Sequence, residues 1–116
     1  MRVVALSRDL IVASRIVGQA NAAGHDAAMV GDPSALPPAG SVDILFVNWA
    51  DRTEGWPDAL RSWCADAPQT SRPRLILYGP HTDLEAHAAA RMAGLGPMLA
   101  RSKLLSDLPR LVGTSS

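Results

Sequence analysis

A chain of 116 residues has room for one domain and one core, and at that size it needs neither disulfides nor a structural metal to fold. Ten arginines and one lysine balance eleven acids, and a net charge of zero argues against a broad phosphate-binding surface for DNA or RNA. The single cysteine, Cys64, has no internal partner, no apolar run approaches the roughly 20 residues that cross a bilayer, and the amino terminus lacks a signal peptide's charged and long apolar segments, so a soluble, cytoplasmic protein is expected.

Apolar runs of strand length recur at Val3 to Leu6, Ala27 to Val30, Ile44 to Val47, Leu75 to Tyr78 and, more weakly, Met98 to Ala100. Such short, nearly continuous runs predict strands buried on both faces. Between the first two, Asp9 to Ala23 carries Leu10, Ala13, Ile16, Val17 and Ala20 at helical spacing and stops at Gly24, a residue suited to a left-handed cap. Pro33, Pro37 and Pro38 interrupt the next connection, Gly31 to Val42, so mostly loop is expected there. After the third strand, Trp56-Pro57-Asp58 opens a short helix with Leu60, Trp63 and Cys64 on one face. Ala67 to Pro73 reads as a loop. Thr82-Asp83-Leu84-Glu85 has the form of a capping box with Thr82 as the cap, predicting a helix to about Met92 before Gly94. Ser106-Asp107-Leu108-Pro109 predicts a short final helix with proline in its first turn, and 113–116 a flexible tail after a domain spanning 1–112.

Strands alternating with helices predict an α/β, doubly wound, flavodoxin-like sandwich with a five-stranded parallel sheet in the order 2-1-3-4-5. In such sheets ligands meet the carboxyl ends of the strands, which makes Asn48, at the end of Asp43-Ile44-Leu45-Phe46-Val47-Asn48-Trp49, the most informative polar residue.

The chain resembles the receiver domain of bacterial two-component response regulators over nearly its whole length. The stretch Ala89-Ala90-Arg91-Met92-Ala93-Gly94-Leu95-Gly96-Pro97-Met98-Leu99-Ala100-Arg101-Ser102 is similar to the receiver's alanine-glycine-alanine turn, fifth strand and lysine-proline. Val47-Asn48-Trp49 supplies a second anchor. The resemblance places Ser7 and Arg8, with Asp9 one step late, where receivers carry the acidic pair that holds magnesium. It places Asn48 at the phosphoacceptor aspartate, Gly79 at the switch serine or threonine, and Arg101 at the lysine. Magnesium requires hard anionic oxygens, which Ser7 and Arg8 do not supply. An amide at 48 is no anionic nucleophile, and a guanidinium does not copy an ammonium. Asp43, at the wrong end of its strand, and Asp51, in the loop beyond, are not expected to substitute.

Other readings of these residues are structural. Asn48 is expected to tie neighbouring loops together, Ser7 to cap the first helix, and Arg8 and Arg101 to pair with Asp9 or Asp51. Trp49 and Trp56, beside a loop, are interface candidates, and Trp63 belongs to the core. His25, His81, His87 and Cys64 lack metal-site spacing, and no phosphate loop or nucleophile elbow is present. No metal, cofactor or enzymatic activity is therefore expected.

The resemblance implies a stand-alone pseudo-receiver that acts through contact with another signalling protein or with itself. The receiver's face of fourth helix, fifth strand and fifth helix nominates Asp83, His87, Arg91, Arg101, Lys103 and Asp107. The rival expectation is a small-molecule or anion sensor with Ser7, Asn48 and Arg101 lining a crevice at the strand ends.

Overall fold

A computed structural model describes residues 1–113 of the chain. The strands β1 (Arg2–Leu6), β2 (Asp26–Val30), β3 (Ile44–Asn48), β4 (Arg74–Gly79) and β5 (Met98–Ala100) form one parallel sheet in the order β2-β1-β3-β4-β5. Four helices complete the sandwich: α1 (Leu10–Ala22), α2 (Trp56–Ala65), α3 (Leu84–Ala93) and α4 (Arg101–Val112).

Side chains alternate across the three central strands and so divide the core in two. Val3, Ala5, Ile44, Phe46, Ile76 and Tyr78 face α1 and α4, meeting Ile16, Ala20, Leu104 and Leu108. Val4, Leu6, Leu45, Val47 and Leu77 face α2 and α3, meeting Trp56, Leu60, Ala86 and Ala90. These strands are buried on both sides, as their unbroken apolar runs predict.

β2 departs from that prediction. Asp26, Ala28 and Met29 are exposed, because the strand is at the sheet edge and residues 31–43 form only two short 3-10 turns, Pro33–Ala35 and Ala39–Ser41. The prolines that exclude a helix there leave one face of β2 without a covering layer. The loop is held instead by Trp63, whose Nε1 donates to the Pro37 carbonyl at 2.8 Å.

Helix ends also differ from expectation. Asp9, not Ser7, caps α1, its carboxylate accepting from the Ile11 N–H at 2.9 Å. Asp83 rather than Thr82 caps α3, accepting from the Ala86 N–H at 3.0 Å, so the cap is one residue later than the capping-box pattern places it. The final helix begins at Arg101, directly after β5, and Pro109 lies inside it. The buried stripe Leu104, Leu108 and Val112, spaced by four, outweighs the local penalty of the proline, which faces outward. The Gly113 carbonyl and that of Val112 accept from His25 Nε2 at 2.8 and 2.6 Å. Residues 114–116, the rest of the expected tail, lie outside the described residues. No helix among the described residues is long and apolar enough to cross a membrane.

Pro109 lacks the N–H that the Leu105 carbonyl would otherwise accept. Pro109→Ala should restore that bond and raise stability by about 1 kcal/mol, less than the roughly 3 kcal/mol of a mid-helix site because the position is near the end and alanine frees the unfolded chain. Urea denaturation with an unchanged slope would establish the gain; a loss would show that the proline ring packs in a way its exposure does not suggest.

Candidate functional site

Parallel register carries three side chains into one row at the carboxyl ends of the central strands. Asn48 pairs with Tyr78, and Ser7, one step past the Leu6–Val47 pair, falls beside Asn48. All three are on the α1 and α4 side, where Phe46 and Ala5 precede them. Ser7 and Asn48 are each only 3% exposed and Tyr78 is fully buried. Burial of this kind demands partners.

Asp51 and Asp9 supply them. The 3-10 turn Trp49–Asp51 brings the Asp51 carboxylate back over the strand ends, where Oδ2 accepts from the Arg8 N–H at 2.7 Å and from Asn48 Nδ2 at 3.0 Å. The second Nδ2 hydrogen of Asn48 goes to Ser7 Oγ at 3.2 Å. Ser7 Oγ also accepts from the Asp9 N–H at 3.0 Å and donates to the Asp9 carbonyl at 2.8 Å, with Asp51 Oδ2 at a looser 3.5 Å.

The hydroxyl of Ser7 is thereby saturated, with two bonds accepted and one donated. This accounts for Tyr78, whose hydroxyl lies beside Ser7 yet has no aligned partner. Burial pushes the phenol up to about 12; the Ser7 hydroxyl and Arg101 act the other way, while Asp51 and Asp9 add to the rise. Asn48 Oδ1 is likewise buried without a partner. The amide therefore works through its nitrogen, as a double donor between Ser7 and Asp51.

Arg8 does not pair with Asp9 or Asp51 through its guanidinium. Nε donates to the Gly31 carbonyl at 3.3 Å and an outer nitrogen lies 3.8 Å from Asp32, whose carboxyl is held below its usual range first by the Ser34 hydroxyl and backbone N–H. Arg101 opens α4 at half-buried exposure and forms no ion pair among the described residues. Gly79 is enforced by packing: a Cβ there would lie 2.8 Å from Met98 Sδ, so a switch hydroxyl would have to displace that side chain. The row thus gathers Ser7, Arg8, Asp9 and Asn48 around Asp51, with Gly79 and Arg101 at its border.

The sequence places Asp51 in the loop beyond the site, as no substitute carboxylate and only as an ion-pair partner for Arg8 or Arg101; the turn that returns it over the strand ends is a tertiary feature. Tyr78 was legible only as a strand residue. Trp49 and Trp56, read as interface candidates, are core residues instead: Trp49 is fully buried with Nε1 donating to the Ala86 carbonyl at 3.0 Å, and Trp56 is 2% exposed. A cavity of about 360 Å³ lies between Asp32–Ser34 and Thr53–Ala59, and its walls do not include Ser7, Asn48 or Tyr78. Among the described residues no group of three or more histidine, cysteine or acidic side chains is arranged to hold a metal.

No family model matches the chain, and no curated protein matches it in sequence. Among solved structures, an atypical orphan response regulator protein, described as revealing a new phosphorylation-independent regulatory mechanism, superposes with a TM-score of 0.64. The match covers 97% of this chain and 95% of the other at 13% identity. This likeness and the strand order establish a receiver-like, flavodoxin-like fold.

Two outcomes are expected of the row. The chain has one tyrosine, so an ultraviolet pH titration reports Tyr78 alone, with ionisation near 12 rather than the usual 10. Because the folded value is the higher, stability should be insensitive to this group below pH 10 and fall between 10 and 12. Ionisation at an ordinary tyrosine value in the folded protein would refute the buried placement.

Asn48→Asp would replace a double donor by a carboxylate facing the Asp51 carboxylate. At neutral pH this should cost about 3 kcal/mol, the scale of a buried charge left without a partner. The two carboxyls would titrate as a pair with one pKa raised, so the deficit should shrink as the pH falls through that folded value. Denaturation of both proteins at pH 7 and pH 4.5 measures this; an equal deficit at the two would contradict it.

Proposed function

We propose that this chain is a non-enzymatic, receiver-like signalling domain that works without phosphorylation, through contact with another protein. The observation that carries the reading is the occupancy of the strand-end corner. Asn48 stands where chemistry would need a carboxylate, and Asp51 and Ser7 take up the donors that would otherwise be free for an incoming anion. The corner is therefore already occupied by a carboxylate of the chain itself, hydrogen-bonded to the donors at the strand ends. The phosphorylation-independent mechanism of the structural neighbour supports the same reading by analogy of fold.

The contact surface we propose is the face of α3, β5 and α4 that carries Asp83, His87, Arg91, Arg101, Lys103 and Asp107. Their present engagements divide them. Asp83 is used as a helix cap, His87 Nε2 meets the His81 carbonyl, and Asp107 is held between Lys103 at 3.1 Å and Arg110 at 3.2 Å. Arg91 has no such tie among the described residues. On α3, Leu84 and Met92 are 77% and 87% exposed, unusual for large apolar side chains, and they supply the desolvation that a contact face needs. The sensor alternative has weaker support, because a ligand at Ser7 and Asn48 would have to displace Asp51.

Incubation with acetyl phosphate and magnesium, followed by intact-mass and amide-spectrum comparison, tests the proposal. Unchanged mass and unchanged resonances around Asn48 are expected. A labile adduct of one phosphoryl group would overturn it.

A further inference from the structure

The sheet ends on one side at β2, a five-residue edge strand. In the parallel ladder, Asp26 N–H donates to the Met1 carbonyl at 3.0 Å and the Val30 carbonyl accepts from Ser7 N–H at 2.9 Å. Register and alternation then turn the backbone groups of Asp26, Ala28 and Val30 toward β1, and those of Ala27 and Met29 outward. Their outward N–H and C=O groups have no strand to meet, since β2 ends the sheet. Proteins commonly blunt such an edge with lysine, proline or a bulge, and the sequence Asp26-Ala27-Ala28-Met29-Val30 contains none of these within the strand.

We propose that β2 pairs antiparallel with β2 of a second copy of this chain, about a two-fold axis at Ala28, to make one continuous sheet across two molecules. Self-complementarity selects this occupant. With the axis at Ala28, Ala27 of each copy faces Met29 of the other, so the residues whose backbones point outward meet one another and can exchange both hydrogen bonds. The one charge on the strand, Asp26, falls opposite Val30, so like charges do not meet. It also approaches the end of the second strand, where Arg8 reaches the Gly31 carbonyl.

Side-chain size points the same way. Ala28 is exposed on the face that lacks a covering helix, and alanine opposite alanine lets two backbones approach without obstruction. Met29, 37% exposed on the other face, supplies apolar surface beside it. A five-residue edge buries less than a standard interface, so association in about the 10–100 μM range is expected rather than a permanent dimer. The inference does not depend on the contact face above, and leaves α3 free on both copies.

Light scattering coupled to size exclusion, over about 10 to 500 μM chain, tests it with three variants. The wild type should move from 12.2 kDa toward twice that mass as concentration rises. Met29→Pro removes one outward donor and leaves the β1 ladder intact, because that N–H does not point inward. Ala28→Arg places like charges across the axis without touching the backbone. Both should stay at the monomer mass with unchanged far-ultraviolet dichroism, while Leu84→Glu, on α3, should dimerise like the wild type. A wild type that remains monomeric throughout, a variant Ala28→Arg that still dimerises, or loss of the dimer in Leu84→Glu would each overturn the proposal.

Discussion

The carboxylate of Asp51 is the constraint on which the strand-end corner depends. Two segments remote in sequence, the β1–α1 turn and the end of β3 with the turn that follows it, meet at one oxygen that accepts from Arg8 N–H and Asn48 Nδ2. Asn48 is buried and has no solvent to answer that hydrogen, whereas the Arg8 N–H lies at the exposed rim of the corner. The arrangement also fixes direction. Because the carboxylate can only accept, Asn48 must present its nitrogen, and because Ser7 Oγ then accepts from that nitrogen and from Asp9 N–H, its own hydrogen must go to the Asp9 carbonyl. A chain of donor and acceptor choices thus runs outward from one charge. It ends at Tyr78, whose hydroxyl is left over.

This ordering explains how a fold whose strand ends are suited to ligands can be self-contained. Parallel sheets expose backbone groups and helix N-termini at their carboxyl ends, and something polar must answer them. In this chain the answer is internal: Asp9 serves the start of α1, Asp83 the start of α3, and Asp51 the β1–α1 turn. α4 has no side-chain cap, and Arg101 at its first position adds positive charge where the helix dipole is already positive. The corner bordering Arg101 and Tyr78 is consequently the less compensated half of the site.

Much of this was legible in the sequence, and the limits have physical causes. The strands β1, β3 and β4 announce themselves because burial on both faces requires unbroken apolar runs, and the alternation of strands with helices points to a doubly wound parallel sheet, for which 2-1-3-4-5 is one of the common orders. Asn48, Ser7 and Gly79 could be placed because each follows a recognisable strand end. Asp51 could not, since its role depends on a 3-10 turn whose return path is set by Trp49 packing beneath α3 and donating to the Ala86 carbonyl. The start of α4 was missed for a related reason. Pro109 is a strong local signal for a helix beginning, but the tertiary stripe Leu104, Leu108 and Val112 decides where the helix lies. The capping aspartates illustrate a finer limit: Thr82 and Asp83 are both good caps, and one residue of backbone geometry chooses between them.

The proline-rich connection between β2 and β3 has consequences beyond its own loop. A helix in that position would shield the face of β2 that carries Ala28; two 3-10 turns cannot, and Trp63 anchors the loop at Pro37, over α2 rather than over β2. The edge strand is thus held by one neighbour, β1, and by α1 on a single face. Its stability rests on a narrower base than that of the other long strands. It is also where added surface would gain most, because a partner strand would satisfy backbone groups that now face solvent and lie beside Ala28, which no layer of this chain covers. The same prolines that shorten the domain by a helix therefore decide which part of it stays incomplete.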